Sequence, residues 1–398
     1  MPQPIELAAL DADFVQDPYP VYAALRRRSA VHHVRYPGGE EAYLVVGHAA
    51  ARAALTEPLL SRDWIRHNRR LDGIDPAGHG PVSASMLDSD PPHHTRLRRL
   101  VSRAFTPGRV AALAPRVQAV TDELLDAMLA APDRRADLVD ALAFPLPMTV
   151  ICELLGVPDL DRASFRAWSA ETVAPTSPEN GAAAIAAASD YLAELIAAKR
   201  RAPGADLLSG LIETVDEGGD RLSEGELLEM AFLLLVAGHE TTVNLIGNGV
   251  RALFHHPDQL AALRADPDGL VEGAVEEMLR YDGPVETATP RIATAALEID
   301  GTRIPAGATV MVALADADRD PDRFARPDRF DVRRETRGHI AFGHGIHYCL
   351  GAPLARLEGR IAIRTLLARA PGLAPDGRPA EWIGGPLIHG VRRIPVRW

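Results

Sequence analysis

The chain has 398 residues, with 43 Lys and Arg against 54 Asp and Glu, a net charge of -11. That balance argues against nucleic acid, whose binding rests on phosphate neutralisation, and against an anionic membrane surface. Two cysteines far apart in sequence, Cys152 and Cys349, build no disulfide framework and fit a reducing compartment.

Met1 to Phe14 carries Glu6, Asp11 and Asp13 and has neither a cationic start nor an apolar core, so no secretory signal is expected. The longest apolar run, Ala231 to Ala237, is far shorter than the ~20 residues that span a bilayer. A soluble, cytoplasmic protein is the expectation. Length alone suggests two or three domains at ~150 residues each. No linker or repeat divides the sequence, so one domain over residues 1–398 is expected.

In chain order, Ala42 to Val46 reads as a strand. His94 and Arg98 are spaced i,i+4 and share one helix face behind Asp90-Pro91-Pro92. Leu113, Val117, Val120, Leu124 and Met128 recur at helical spacing. Met148–Leu155, Asp161–Val173, Ala182–Arg201 and Asp258–Tyr281 are further helical stretches. Leu297–Asp300, Gly301 and Arg303–Ile304 read as a hairpin and Thr309–Leu314 as a strand. A helix follows Cys349, then short strands to Trp398. The class is mainly α with small β-sheets.

One predicted helix stands apart. Ser223 and Glu226 fit a capping box, and the helical pattern runs from there to about Phe254. That is ~45 Å at 1.5 Å per residue. Its apolar middle carries Gly238-His239-Glu240-Thr241-Thr242. Either the threonines bond back to the preceding turn, or the helix opens at Gly238 to admit a ligand.

The segment Phe342 to Arg356 places Cys349 among Gly343, Gly345 and Gly351, with Pro353 just after. Glycines allow positive φ and close backbone approach, and Pro353 suits the first turn of a helix. A cysteine before a helix N-terminus is favoured as thiolate. Three readings follow from the residues: a buried apolar cysteine, a zinc site with His339, His344 and His347 that lacks paired ligand spacing, or axial ligation of heme, where thiolate donation favours O–O cleavage.

The loop resembles the heme-binding loop of the cytochrome P450 family, with Phe342, Gly343, Gly345, His347, Cys349 and Gly351 on pattern. Three further stretches are similar to that family in the same order: Ala237-Gly-His-Glu-Thr241, Glu277-Met-Leu-Arg280, and Arg329 within Pro327-Asp-Arg-Phe330. The likeness runs from Asp17-Pro-Tyr-Pro20 to the C-terminus. It implies a triangular single-domain fold with a long central helix over heme b (iron protoporphyrin IX).

The same resemblance implies roles. Cys349 would ligate iron, with Phe342, Gly343 and Gly351 shaping the loop. His94, Arg98, Arg291 and His347 would hold the heme propionates. Gly238 and Ala237 would leave room for dioxygen, Thr241 would hydrogen-bond the oxygen being activated, and Glu240 would relay protons. Glu277, Arg280 and Arg329 would form a buried structural triad under the loop. The activity implied is a monooxygenase that hydroxylates, or epoxidises, a hydrophobic metabolite. Among subgroups, the sequence looks closest to actinobacterial enzymes acting on macrolides and other polyketides. No flavin or nicotinamide domain fits in the chain, so electrons would come from a ferredoxin and its reductase. Arg96, Arg99 and Arg103 form either a solvated helix face or a docking patch for that donor.

The substrate pocket is expected from Ser61–Leu87, about Ser164–Ala186, Leu233–Ala237, Val285–Thr289 and Gly385–Ile388. Asp72, Asp75 or Asp88 could pair with an amino sugar, against a plain surface role. A peroxide-driven relative lacks the Glu240–Thr241 pair, and a heme sensor or carrier would not need it. Asp318, where many relatives carry Asn, has no role assigned from sequence.

Overall fold

The computed structural model describes residues 3–7, 13–36, 39–63, 85–158, 162–173, 176–215, 219–383 and 387–398. Asp11, Asp72, Asp75 and most of the stretch Ser61–Leu87 lie outside them, as do residues 384–386.

The fold is organised around the predicted long helix, which spans Glu224–His255 without interruption. The capping box forms as expected: the Glu226 N–H donates to Ser223 Oγ, and the Ser223 N–H donates to the Glu226 carboxylate at 2.8 Å. At ~48 Å this central helix packs most extensively on four others, Pro145–Leu155, Pro178–Arg201, Pro267–Asp282 and Ala352–Arg369. Its apolar residues, among them Leu227, Met230, Phe232, Leu235, Leu245, Ile246 and Leu253, enter the largest core cluster. Glycines bring the helices close. A Cβ on Gly249 would lie 2.5 Å from Met278 Sδ, and one on Gly238 2.7 Å from Ile151 Cδ1.

The central helix and Pro178–Arg201 are both long and apolar enough, by composition, to cross a bilayer. No unbroken apolar run shows this, because His239, Glu240, Thr241 and Asn244 interrupt the apolar stretch of the central helix. Most of the central helix's apolar window is buried by other parts of the protein, as in a core helix.

The β-structure lies outside this bundle. A mixed sheet runs in the order Ile5–Glu6, Val31–Arg35, Glu41–Val45, Thr309–Val312, Arg291–Ala293, Leu60–Ser61. Glu41–Val45 and Thr309–Val312 are its inner pair and run parallel. Leu60–Ser61 pairs antiparallel with Arg291–Ala293, with Ser61 opposite Ile292. Ala374–Pro375, Pro395–Arg397 and Arg135–Asp137 form a second sheet. The predicted hairpin is present as Leu297–Ile299 and Thr302–Ile304.

Two expectations shift. Asp258–Tyr281 is two helices, Pro257–Ala265 and Pro267–Asp282. Pro267 has no N–H and holds Asp266 out of helical geometry; the Asp266 side chain instead accepts the Gly269 N–H at 3.1 Å. Thr309–Leu314 stops as a strand at Val312, and Leu314–Ala317 is a short helix.

A buried ion network ties the helix Pro267–Asp282 to the chain leading into the Cys349 loop. Arg280 donates to both oxygens of Glu277, at 2.7 and 2.9 Å, with both side chains fully buried. Glu277 also accepts the Asp331 N–H at 2.9 Å and Arg334 Nε at 3.1 Å. The third arginine is therefore Arg334, which corrects the assignment of Arg329. The Arg329 side chain is 49% exposed and meets only the Asp331 carboxylate, at 4.0 Å. What Arg329 gives the network is its carbonyl, which accepts from Arg334 at 2.8 Å.

Removing one member of a buried pair leaves an uncompensated charge, at a cost of ~3–5 kcal/mol. Glu277→Ala should lower stability by about that much. Arg334→Ala should cost ~1–3 kcal/mol, and Arg329→Ala should stay within ~0.5 kcal/mol. Chemical denaturation of the three variants checks the order. An Arg329→Ala protein as damaged as Arg334→Ala would contradict the assignment.

Candidate functional site

The loop before the helix Ala352–Arg369 is shaped by backbone bonds. Gly343 N–H donates to Ile340 O at 2.8 Å, and Cys349 N–H donates to Phe342 O at 3.0 Å. Gly343 and Gly345 hold φ of +74° and +79°, which side-chain-bearing residues rarely adopt. At Gly345 a Cβ would also meet Thr56 Cγ2 at 3.0 Å. The Phe342 ring lies under the Arg356 guanidinium at 4.5 Å, and Arg356 is fixed by Glu276 at 2.6 Å.

Asp318 supports this loop from beneath. Its carboxylate accepts the Ile340 N–H at 2.7 Å, and its carbonyl accepts Arg280 Nη1 at 2.8 Å. The residue that sequence left without a role thus links the Glu277–Arg280 pair to the loop.

Cys349 is exposed, yet burial among protein atoms raises its thiol pKa. Together these place the sulfur on an internal hollow. The N–H groups of Gly351 and Ala352 and the charge of Arg98 pull the thiol pKa down, and burial outweighs them. A cation on the sulfur would stabilise the expected thiolate.

The zinc reading finds no support. His339 is committed to Glu276 at 2.9 Å. Among the described residues no group of three or more His, Cys, Asp or Glu is placed to hold a metal ion.

On the central helix, Ala237 is exposed and Thr241 half-exposed, although residues 242–250 are buried without a break. The central helix is therefore open at Ala237 and Thr241, within an otherwise buried stretch. Thr241 donates to Ala237 O at 3.1 Å, the back-bonded arrangement. The helix does not open at Gly238. The position of a Gly238 side chain is occupied by Ile151, so the glycine serves helix packing, which corrects its assignment as space for dioxygen. Burial raises the Glu240 carboxyl pKa, opposed by Arg392. His239 is fully buried, bonds Ser169 Oγ and Leu235 O at 2.7 Å each, and is held neutral with its pKa lowered by burial to about 4.

The predicted carboxylate binders come together from three elements. His94 and Arg98 lie on the helix His93–Ala104, Arg291 opens its strand, and His347 lies in the loop. The His94 and His347 rings are 4.2 Å apart. Both ring nitrogens of His94 and Nε of Arg291 are buried without a hydrogen-bond partner. Burial lowers the pKa of all four, that of Arg291 to about 10; at His347 burial and the surrounding cations lower it to about 2. Buried cations and polar atoms left unpaired are costly. The arrangement therefore fits a ligand with carboxylates at one edge and a cation over Cys349, and heme has both. Sequence reading missed Arg62, also buried in this cluster, and Glu358, a fully buried carboxyl without a hydrogen-bond partner whose pKa burial raises well above the usual range.

Asp88 is not a surface acid. It is largely buried, accepts Ser85 Oγ at 3.2 Å and faces Arg62 at 3.6 Å. Arg96 is engaged by Asp220 at 2.7 and 2.9 Å and by Glu226 at 2.5 Å, which removes it from a free docking patch.

Comparison with known proteins agrees with this geometry. The family described as Cytochrome P450 matches residues 175–370. Cytochrome P450 monooxygenase PikC of Streptomyces venezuelae is 57% identical, over 100% of this chain and 95% of the relative. The 6-deoxyerythronolide B hydroxylase of Saccharopolyspora erythraea is 44% identical over 98% of both. Among solved structures, the tirandamycin C-bound P450 monooxygenase TamI superposes with a TM-score of 0.90 at 46% identity, covering 99% of this chain and 100% of that one. A thiol on an internal hollow, a buried cluster of cations and full-length similarity of this order lead to one conclusion: the chain belongs to the cytochrome P450 family.

Proposed function

We propose that the whole chain works as one heme-thiolate domain that inserts one oxygen atom from dioxygen into a C–H bond of a macrolide or other polyketide, with epoxidation as the variant outcome. The observation that carries this reading is the Cys349 sulfur within electrostatic reach of the cationic cluster, and the Glu240–Thr241 pair at the open stretch of the central helix supports it. Heme b bound through Cys349 supplies the reductive activation of dioxygen. His94, Arg98, Arg291 and His347 would hold its propionates through charge-assisted bonds.

The protein's own groups supply orientation and protons. The Thr241 hydroxyl proton is committed to Ala237 O. Its oxygen lone pairs are therefore what it offers a ligand, and Thr241 acts as an acceptor that holds a proton-bearing partner in place. Glu240, a carboxyl whose raised pKa extends its protonated form toward neutral pH, supplies protons from the solvent side. A donor of suitable pKa within hydrogen-bond reach is what proton delivery requires. The Asn244 side chain donates to Glu240 O at 2.9 Å and steadies this turn.

The polyketide assignment rests on relatives whose names give hydroxylation of 6-deoxyerythronolide B and on a neighbour that holds tirandamycin C. The other substrate classes in view are a terpenoid, a peptide or a fatty acid. Electrons would come from a ferredoxin and its reductase, in the cytoplasm.

Three measurements test this reading. The reduced, CO-bound difference spectrum should show the thiolate-ligated form and lose it in Cys349→Ser; a spectrum unchanged by that substitution would refute ligation by Cys349. With that established, a polyketide panel should include compounds that shift the heme spin state, and a panel without any would redirect the substrate class. Thr241→Ala should bind such a compound with unchanged affinity and still consume reducing equivalents, but yield at least ~10-fold less product per equivalent and release peroxide. Near-full coupling in that variant would remove the role given to Thr241.

A further inference from the structure

The cationic cluster contains one residue more than the four considered so far. Leu60–Ser61 pairs antiparallel with Arg291–Ala293, with Ser61 opposite Ile292. Arg62 leaves the strand at the next residue, close enough to Arg291 for its charge to lower the Arg291 pKa. Like charges repel, so this placement is unfavourable unless an anion lies between them. Arg62 is 3% exposed, and its Nε and Nη2 have no hydrogen-bond partner.

The neighbouring carboxylates balance only part of this charge: Asp88 forms an ion pair with Arg62, which leaves the guanidiniums of Arg98 and Arg291 at the same edge. Asp90 is already occupied by the Ser61 hydroxyl and by the Arg62 main-chain N–H at 3.0 Å. Asp88 stands 3.6 Å from Arg62 Nη2, beyond a hydrogen bond. The charge of Arg62 is also felt by His347, Arg291 and His94. Three guanidinium groups and two imidazoles thus converge on one edge of the hollow. Heme brings two carboxylates to that edge.

We infer that Arg62 is a fifth carboxylate-binding residue of the site, pairing through its unpartnered nitrogens with a propionate of the bound heme. This rests on the heme reading above. Arg62 joins the Ser85–Asp88 turn on one side to the heme edge on the other, so heme retention and the order of this turn are connected through one side chain. A carboxylate-bearing substrate is the other source of the same ligand chemistry, and the test separates the two.

The experiment uses the heme-loaded protein without substrate and follows transfer of heme to excess apomyoglobin. Arg62→Leu should lose heme about tenfold faster than the wild type, the effect of a lost charge-assisted bond, and Arg62→Lys should recover most of the difference. Loaded with heme dimethyl ester, whose carboxylates carry no charge, wild type and Arg62→Leu should release the ligand at equal rates. Three results would overturn the inference: unchanged loss of native heme in Arg62→Leu, equally accelerated loss of the ester, or an effect confined to the spin shift caused by carboxylate-bearing ligands. A wild-type protein without a thiolate-type CO spectrum would instead count against the heme reading itself, so the two failures are distinguishable.

Discussion

Glu277 and Arg280 are both fully buried and share two hydrogen bonds. The rest of the site depends on that pair. From it the connection runs through the carbonyl of Asp318 to its carboxylate, then to Ile340 N–H and the Cys349 loop. Buried charge is tolerated only when it is matched and hydrogen-bonded, so these positions define one another. The loop can hold two glycines at positive φ because its entry point is fixed by a network that resists displacement.

The same constraint, applied a short distance away, gives the opposite result. Arg62, Arg98 and Arg291 gather positive charge beside the imidazoles of His94 and His347 with too few anions, and several of these nitrogens are buried without partners among the described residues. A folded protein does not keep such an arrangement for stability. It is the imprint of a ligand that brings carboxylates, and the Cys349 sulfur beside the same cluster is a soft donor for one that brings a metal cation. The two together describe heme more specifically than either does alone.

The central helix passes between these regions. Its buried face packs mainly on four helices, and Gly238 and Gly249 let neighbouring side chains approach its backbone. Its short open stretch lies at Ala237 and Thr241, while His239, one turn-face away, is bonded to Ser169 on the helix Arg162–Val173. The acid–alcohol pair is thereby carried on a rigid element rather than on a loop, which suits a role in which proton placement matters.

Much of this was legible from the residues. The capping box at Ser223 and Glu226, the glycines around Cys349, and the i,i+4 spacing of His94 and Arg98 are local features. Local geometry follows from local chemistry, so these stood in the structure as read. The split at Pro267 was equally local, and was overlooked because apolar periodicity continues across it. What only the tertiary structure decided is which distant groups meet. That Arg334 rather than Arg329 reaches Glu277, that Gly238 answers to Ile151, that Asp318 props the loop, and that Arg62 comes close to Arg291 all depend on side-chain direction and sheet register. Those are fixed by packing across tens to hundreds of residues, and neither spacing nor composition encodes them.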